Sequence, residues 1–338
     1  MTSLKSEKRF PWIRLLIFLV CGVLVYRIIA GLGWGKIYQL VLDSDILLLG
    51  WGLLTLFGFY LVWVFKWHLI VARTKSLPFG VLWRLQMAGS FINLVTPTAR
   101  LGGGFLRAMV LEKRHGLGLA GSYGLVLADQ LTGFVGKILL IGLLCFAALG
   151  RFPQHDFQWL LLSSGVLALI LALSWPWIRA PLGRKLAAFK SFWIKKIPFL
   201  QKRVEKHSAN NGESNKWIDR LLSPTFYQGE NLKVLIYDLG LSAISFALFC
   251  LSNSLVLKAM GCDVSLAAMS IVMVIGYLIG SVTGIMGGAG ATELALIQLY
   301  AAIGIDESQA AAGALVHRAI FYIFVLTIGG YSTWRERL

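Results

Sequence analysis

The chain has 338 residues, of which 57% are hydrophobic and only 14% are charged, and its mean hydropathy is +0.72. A soluble domain carries roughly 25% charged residues, so apolar side chains must face lipid as well as a core. The net charge of +16 would suit nucleic acid. The Lys and Arg residues, however, stand between long apolar runs, where they orient a membrane protein and attract anionic head groups. Composition therefore argues against a soluble enzyme and predicts no nucleic-acid partner.

Six apolar runs are long enough to cross a bilayer, which takes about 20 residues, and they predict an all-α polytopic membrane protein. These runs are 13–32, 46–65, 119–149, 158–178, 232–257 and 309–333. Basic residues between them predict that both termini and the basic loop 179–231 are cytoplasmic. The connection 66–75, which contains Lys66 and Arg73, is predicted to be another cytoplasmic loop. The expected location is a bacterial inner (cytoplasmic) membrane, as one multi-pass transmembrane domain, 1–338.

Two further apolar stretches are short and are interrupted by glycine. In 81–112 the interruption follows Pro97, and both Arg100 and Arg107 would lie outside if the segment crossed. A re-entrant hairpin that enters from the cytoplasm satisfies the charge rule. Irregular backbone at that depth is tolerated where it is buried in protein or lines a wet cavity. The flanking charges of 265–303 predict a second hairpin, which enters from outside.

The two hairpins occupy corresponding places in two halves of the chain, 46–149 and 232–334. Each has a half-helix, an interruption with a Gly-Gly pair, and a second half-helix that carries a charge. Entry from opposite faces makes the halves an inverted-topology repeat. In secondary transporters, paired broken helices of this kind point to the substrate site. The alternative is that the glycines only allow close helix packing.

Charged side chains at membrane depth are costly and are functional hypotheses by default. Arginine suits bidentate phosphate recognition, so the expected partner is a membrane phospholipid or a polyprenyl-phosphate-linked lipid. Envelope-lipid enzymes are further expected partners, and no cofactor or metal is expected. The predicted substrate-binding residues are Asn93, Thr96, Pro97, Arg100, Gly102, Gly103, Arg107, Asp129, Gly287, Gly288, Gly290, Glu293 and Arg318. Glu293 would pair with an arginine when no substrate is bound, or bind a coupling proton. The alternative for each charge is an internal ion pair that only neutralises it.

Two motifs and one arginine carry a family resemblance. They are Pro97-x-x-Arg100-x-Gly102-Gly103-x-x-x-Arg107, Gly287-Gly288-x-Gly290-x-x-Glu293 and Arg318. From about Leu47 onward the chain resembles the lysylphosphatidylglycerol synthase transmembrane-region family, also called the flippase-like or UPF0104 family. It departs from the family in having Asp129-Gln130 where members often have Glu-Arg, and Met286 where they commonly have Pro.

The resemblance implies that in full-length synthases this membrane part moves aminoacylated phosphatidylglycerol across the bilayer, while a cytoplasmic domain makes that lipid. This sequence ends directly after its last apolar run, so we expect it to lack the soluble synthase domain and lipid aminoacylation.

The leading prediction is therefore translocation of a lipid or lipid-linked molecule with an anionic head group. One alternative is a membrane-embedded glycosyl or acyl transferase, in which Asp43-Ser44-Asp45 would hold a divalent ion and a phosphate donor. The other is a non-transporting scaffold for envelope enzymes.

Overall fold

A computed structural model describes residues 34–96, 102–117, 119–147, 232–283 and 285–336, together with the single residues Val23, Tyr26 and Ala30. All regular secondary structure in this part of the chain is helical. The predicted crossing 158–178 and the basic loop 179–231 lie outside the described residues, as does almost all of the predicted crossing 13–32.

The helices are α1 (Trp34–Leu42), α2 (Ile46–Ala72), α3 (Phe79–Val95), α4 (Gly102–His115), α5 (Leu119–Ala147), α6 (Leu232–Ala259), α7 (Leu266–Val282), α8 (Ala291–Ala302), α9 (Glu307–Phe324) and α10 (Gly330–Arg335). A 3₁₀ turn, Met286–Gly288, precedes α8, and a π-helical turn, Val325–Gly329, joins α9 to α10.

Four helical stretches are long and apolar enough to cross a membrane. They are Ile46–Ala72, Gly121–Ala147, Lys233–Ala259 and Glu307–Arg335. A helix of 27 residues is about 40 Å long, which exceeds the roughly 30 Å of bilayer hydrocarbon. These stretches match four of the six predicted crossings, so the protein is an all-α polytopic membrane protein, as predicted.

The end of α2 differs from the prediction. The sequence predicts a loop from residue 66, but the helix continues to Ala72 and the Lys66 side chain is only 1% exposed. The helix extends because the Lys66 ammonium finds a carboxylate inside the protein rather than water. At the other end, the Asp45 carboxylate caps α2 by accepting the backbone N–H groups of Leu47 at 2.8 Å and Leu48 at 3.3 Å.

The first glycine-interrupted segment folds as two short antiparallel helices, α3 and α4. They contain 17 and 14 residues, fewer than the roughly 20 needed to cross alone. Gly89 lies against Gly103, and Gln86, about one turn earlier in α3, bonds Arg107, one turn later in α4. This register defines a helical hairpin.

The second interrupted segment has the same form. Helices α7 and α8 contain 17 and 12 residues. Gly280 lies against Thr292, and Gly276 lies against Leu296, so this pair is also antiparallel. Ser265 caps the start of α7, because its hydroxyl accepts the N–H of Ala268 at 3.2 Å.

The chain divides into two compact units. The first contains Met1–Val64, Pro78–Arg107 and Ser245–Leu338, and the second contains Phe65–Leu77 and Ala108–Ile244. Each unit takes residues from both predicted repeats. The first unit therefore holds both glycine interruptions, with α4 as far as Arg107.

The core of the first unit contains stacked aromatic rings. Tyr60 of α2 stacks on Phe324 of α9 with ring centroids 5.2 Å apart, and Phe59 meets Phe249 of α6 at the same distance. These contacts pack α2 against α9 and α6, and Phe249 also meets Tyr277 of α7 edge to face at 5.2 Å.

The last crossing approaches α3 closely at its π-helical turn. A Cβ added to Gly329 would lie 2.7 Å from the carbonyl oxygen of Met87 and 2.9 Å from the Cβ of Phe91. Beyond the turn, the Glu336 carboxylate accepts a bond of 2.6 Å from the Arg84 guanidinium near the start of α3. The end of the last crossing is therefore tied to the first hairpin.

Candidate functional site

The first interruption begins where α3 ends. Thr96 follows the last helical residue, and its hydroxyl bonds back to the carbonyl of Ile92 at 2.6 Å. Helix α4 starts at Gly102. Pro97 and Arg100, two predicted site residues, lie outside the described residues.

The two helices of this hairpin meet through a glycine. The backbone N–H of Gly103 donates to Oδ1 of Asn93 at 2.7 Å. A Cβ on Gly103 would lie 2.7 Å from the Asn93 amide nitrogen and would overlap the carbonyl of Gly89, so only glycine fits. One turn further along α4, Arg107 is 4% exposed and donates to Oε1 of Gln86 at 2.6 Å.

The second interruption is a left-handed turn. Gly287 has φ 57°, and Gly288 and Gly290 also have positive φ values, which L-residues with side chains adopt at a cost. A Cβ on Gly287 would lie 2.5 Å from Cδ1 of Leu94, two residues before Thr96. The second interruption therefore packs against the last turn of α3, where the first interruption begins, inside the first unit.

A buried arginine of the last crossing closes the second interruption. Arg318 of α9 is 1% exposed. Its Nε donates to Oε1 of Glu293 at 2.8 Å, and its Nη2 donates to the carbonyl of Gly287 at 3.0 Å. The left-handed turn removes that carbonyl from any helix, and a buried carbonyl needs a donor. Arg318 thus joins the broken backbone to the first turn of α8.

Aromatic side chains surround the same guanidinium. Its carbon lies 4.4 Å from the ring centroid of Tyr322 and 5.6 Å from those of Tyr277 and Phe321. The Tyr322 hydroxyl accepts from Arg318 and donates to Oε1 of Glu293 at 2.9 Å. Ring faces attract cations, most strongly where water is excluded, so Arg318 has neutral partners besides its carboxylate.

Some buried polar atoms beside this pair lack partners among the described residues. Oε2 of Glu293 is buried and accepts no hydrogen bond, and neither ring nitrogen of His317 makes one. The hydroxyl of Thr292, next to Glu293 in α8, is also without a partner in this part of the chain. Native proteins pair most buried polar groups, so this cluster has capacity for a further ligand or proton.

The second unit contains a different ion pair. Lys66 of α2 lies 2.8 Å from Oδ1 of Asp129 on α5, with side-chain exposures of 1% and 0%. The ammonium also donates to the backbone carbonyl of Asp129 at 2.8 Å and lies 3.4 Å from the Thr132 hydroxyl. Gly133 also lies next to the ammonium, since a Cβ on this residue would be in ordinary van der Waals contact with it at 3.5 Å.

A second pair in this unit joins α6 to the segment after α2. Arg73 donates to both carboxylate oxygens of Asp238, at 2.9 and 2.8 Å, which is the bidentate geometry that arginine favours. Helix α6 also packs closely on α5, because a Cβ on Gly136 would overlap Ser242.

The structure brings three predicted site residues, Gly287, Glu293 and Arg318, into one cluster. Asn93 and Gly103 bond each other in the first hairpin, Thr96 and Gly102 flank its interruption, Arg107 bonds Gln86, and Gly288 and Gly290 shape the second turn. Asp129 belongs to the second unit, where its partner is Lys66.

Sequence reasoning missed Tyr277, Tyr322, Gln86 and Lys66. Tyr322 is four residues after Arg318, so helical spacing could have found it. Tyr277 and Gln86 had no local signal.

These features define a class of protein: a polytopic helical membrane protein with two contacting broken hairpins and a buried, ion-paired arginine at the contact. The profile of the family described as "Lysylphosphatidylglycerol synthase TM region" matches residues 12–329. The chain belongs to this family, as the sequence motifs predicted.

Archaeal UPF0104 membrane proteins are similar over almost their whole length. One from Methanothermobacter thermautotrophicus is 24% identical over 331 residues, covering 93% of this chain and 93% of the relative. One from Methanocaldococcus jannaschii is 24% identical, covering 93% and 92%, and one from Pyrococcus horikoshii is 19% identical, covering 95% and 97%. The multi-pass membrane location follows from the family and the helices, while the bacterial inner membrane and the orientation of the termini stay predictions.

Proposed function

We propose that the protein moves a lipid or lipid-linked molecule with an anionic head group from one leaflet to the other. The observation that carries this proposal is the packing of the second interruption on the last turn of α3, in the first hairpin, with Arg318 buried and bonded to the same interruption. Backbone that is irregular at membrane depth occurs in proteins that build a substrate site there.

Arg318 supplies the chemistry for an anionic group. Its Nε and Nη2 already hold two oxygens, one from Glu293 and one from Gly287. A phosphate presents oxygens in the fork geometry that a guanidinium matches. In the proposed cycle a head-group oxygen takes the place of Glu293 on Nε, and the hairpin α7–α8 is then released to move.

The proposal retains the inverted repeat. Two antiparallel hairpins of similar length, each with a glycine interruption, would alternate in opening toward the two faces. The remaining predicted site residues of the first hairpin, including Arg100 and Arg107, stay part of the proposed substrate path.

No observation in the described residues favours the transferase alternative. Asp45, one of its two acids, caps α2, which gives that carboxylate a structural role.

The test is lipid translocation in proteoliposomes that contain the purified protein. Fluorescent phosphatidylglycerol and phosphatidylcholine with the same acyl chains are scored for movement by bleaching the outer leaflet. We expect faster movement of the anionic lipid. Arg318→Lys, which keeps the charge but loses the fork, should slow it at least tenfold. Arg335→Lys is the matched control, because Arg335 of α10 is exposed and donates to the nearby Tyr331 hydroxyl at 3.2 Å, away from Glu293 and Gly287.

If neither lipid, nor a polyprenyl-phosphate analogue, moves faster than in protein-free vesicles, the proposal is wrong. If Asp43→Ala alone abolishes activity and the recovered lipid has changed mass, the protein is a transferase.

A further inference from the structure

Only one of the two carboxylate oxygens of Glu293 takes part in hydrogen bonds at the second interruption. Oε1 of Glu293 accepts from both Arg318 Nε, at 2.8 Å, and the Tyr322 hydroxyl, at 2.9 Å. Oε2 is buried and accepts no bond from any described residue. The residue is 6% exposed. A carboxylate oxygen in this state is the best place in the cluster to add a proton.

Charge balance makes such a proton necessary once an anion binds. In the present state Arg318 and Glu293 neutralise each other. If a head-group anion replaces Glu293 on Arg318, the carboxylate is left buried beside a second negative charge and without its cation. An unpaired buried charge is strongly unfavourable. A proton on Oε2 removes that charge, so that anion and protonated acid together restore neutrality.

The arginine and the tyrosines of the cluster cannot take up this proton in place of Glu293. Arg318 keeps its proton at all ordinary pH values, and tyrosines ordinarily ionise near pH 10. The titratable or charged groups of this cluster are Arg318 and Tyr322 from α9, which bond Glu293, Tyr277 from α7, which lies against Arg318, and the buried His317 next to Arg318 in α9. Among the described residues, His317 is the one rival for the proton.

We propose that Glu293 is a proton-binding site, and that the protein takes up one proton on Glu293 for each anionic head group bound at Arg318. This inference rests on the proposed function. The step is balanced: a proton from water adds to Oε2, the Arg318–Glu293 contact breaks, and Nε and Nη2 donate to the oxygens of the head group. Since the two binding events favour each other, the linkage is reciprocal. Anion binding therefore weakens as pH rises.

The experiment is calorimetric titration of the purified full chain in detergent with short-chain phosphatidylglycerol. A phosphodiester has no ionisation near neutral pH, so the probe keeps a constant charge. Titrations in two buffers of different ionisation enthalpy count the protons taken up. We expect one proton per anion, and an affinity that falls by about tenfold per pH unit where free Glu293 is ionised, which is the slope that linkage gives for one proton.

Variants assign the proton. Glu293→Gln imitates the protonated acid, so it should bind the probe with no proton uptake and no pH slope. His317→Asn should keep both the proton uptake and the dependence of affinity on pH. Arg335→Lys is the matched control on the same crossing. Proton uptake that survives in Glu293→Gln, or that disappears only in His317→Asn, overturns the proposal.

Failure of this inference is distinguishable from failure of the proposed function. Wild-type protein that binds the anion without taking up a proton contradicts the inference and leaves translocation standing. Wild-type protein that binds no anion at any pH contradicts both. The proton count is made on wild-type protein, so it decides the matter even if a variant does not fold.

Discussion

Two of the buried ion pairs among the described residues look alike when judged by distance alone. Glu293–Arg318 in the first unit and Lys66–Asp129 in the second each have a contact of 2.8 Å, and all four side chains are at most 8% exposed. Their surroundings differ. Arg318 also holds the freed carbonyl of Gly287, in a left-handed turn. Lys66 and Asp129 join α2 to α5, both of which are continuous helices at these positions.

The difference shows that burial of a charge does not by itself indicate a site. The Lys66–Asp129 pair ties together two regular helices, and its separation would leave two charges among packed side chains. The Glu293–Arg318 pair is attached to backbone that already lacks helical bonds, and it is bordered by unpartnered polar atoms in the described residues. We therefore expect the Lys66–Asp129 pair to determine stability and the Glu293–Arg318 pair to determine function.

The largest expected effect is on stability in the second unit. Asp129→Asn leaves the Lys66 ammonium buried without a carboxylate, and breaking a buried pair in this way costs about 3–5 kcal/mol. The double variant Lys66→Met, Asp129→Leu should recover most of that loss, since it removes both charges. Thermal unfolding in detergent measures both.

Replacing the acid of the Glu293–Arg318 pair by its amide should lower the free energy of unfolding by a smaller amount. Glu293→Gln leaves Arg318 with the Gly287 carbonyl and three ring faces, so we expect a loss of about 1–3 kcal/mol. Equal losses of stability for Asp129→Asn and Glu293→Gln would contradict the different roles assigned to the two ion pairs. A double variant of Lys66 and Asp129 that is stable but does not translocate lipid would return Asp129 to the substrate path.

The two glycine interruptions could be predicted from the sequence, whereas the Lys66–Asp129 pair could not, and the reason is physical. Glycine and proline change the backbone where they stand, so both hairpins could be located from local signals. Lys66 was assigned to a loop because its partner, Asp129, lies 63 residues away. Only the folded chain brings that carboxylate near, and with it the helix extends to Ala72.

The next effect concerns the turn that Arg318 holds. Gly287→Ala places a side chain at φ 57°, with its Cβ 2.5 Å from Leu94, and overpacking of this kind costs about 1–3 kcal/mol. Gly50→Ala is the control, because nothing lies within 4 Å of its added Cβ in α2, and alanine in a helix should be neutral or stabilising. Thermal unfolding of the two variants measures the difference. If both variants unfold at the same temperature, the second interruption is not closely packed on the last turn of α3.

A smaller effect on stability is expected from the Tyr322 hydroxyl, which bridges Glu293 and Arg318. Tyr322→Phe keeps the ring over Arg318 but removes the bonds to Arg318 and Glu293, a loss of about 0.5–1.5 kcal/mol. Tyr331→Phe, at an exposed position of the same crossing, should change stability by less than about 0.5 kcal/mol. An equally small change for both, measured by thermal unfolding, would show that the hydroxyl does not hold the pair together.

The smallest effect concerns the side from which the second hairpin enters. Cys262 lies in the connection between α6 and α7, and its partial burial, together with the Asp306 carboxylate, raises the pKa of its thiol. With Cys21, Cys145 and Cys250 replaced by serine, an impermeant maleimide should label Cys262 from outside, faster as pH rises because the thiolate reacts. Asp306→Asn should move this profile to lower pH. Labelling from the cytoplasm alone would contradict opposite entry of the two hairpins.

The candidate site shows the same limit of sequence reasoning at finer scale. Glu293 and Arg318 were both predicted, since a charge in an apolar run is visible locally, and their pairing was one of two predicted states of Glu293. Tyr277 comes from a separate helix, and its contact with Arg318 arises from the packing of α7 on α9. A tyrosine in an apolar run is ordinary, so nothing in the sequence distinguished it.

The π-helical turn Val325–Gly329 sets how the last crossing tolerates a change in length. A π turn is an α-helix that has accepted one extra residue, and one residue corresponds to a rotation of about 100°. Because the turn has absorbed that extra residue, deleting one residue within it would leave a regular α-helix that is long enough to span the membrane and keeps Glu336 on the side of Arg84. Deleting one residue of α9 instead would act as a rotary shift, which turns Glu336 away from Arg84 and uncouples the end of the chain from the first hairpin.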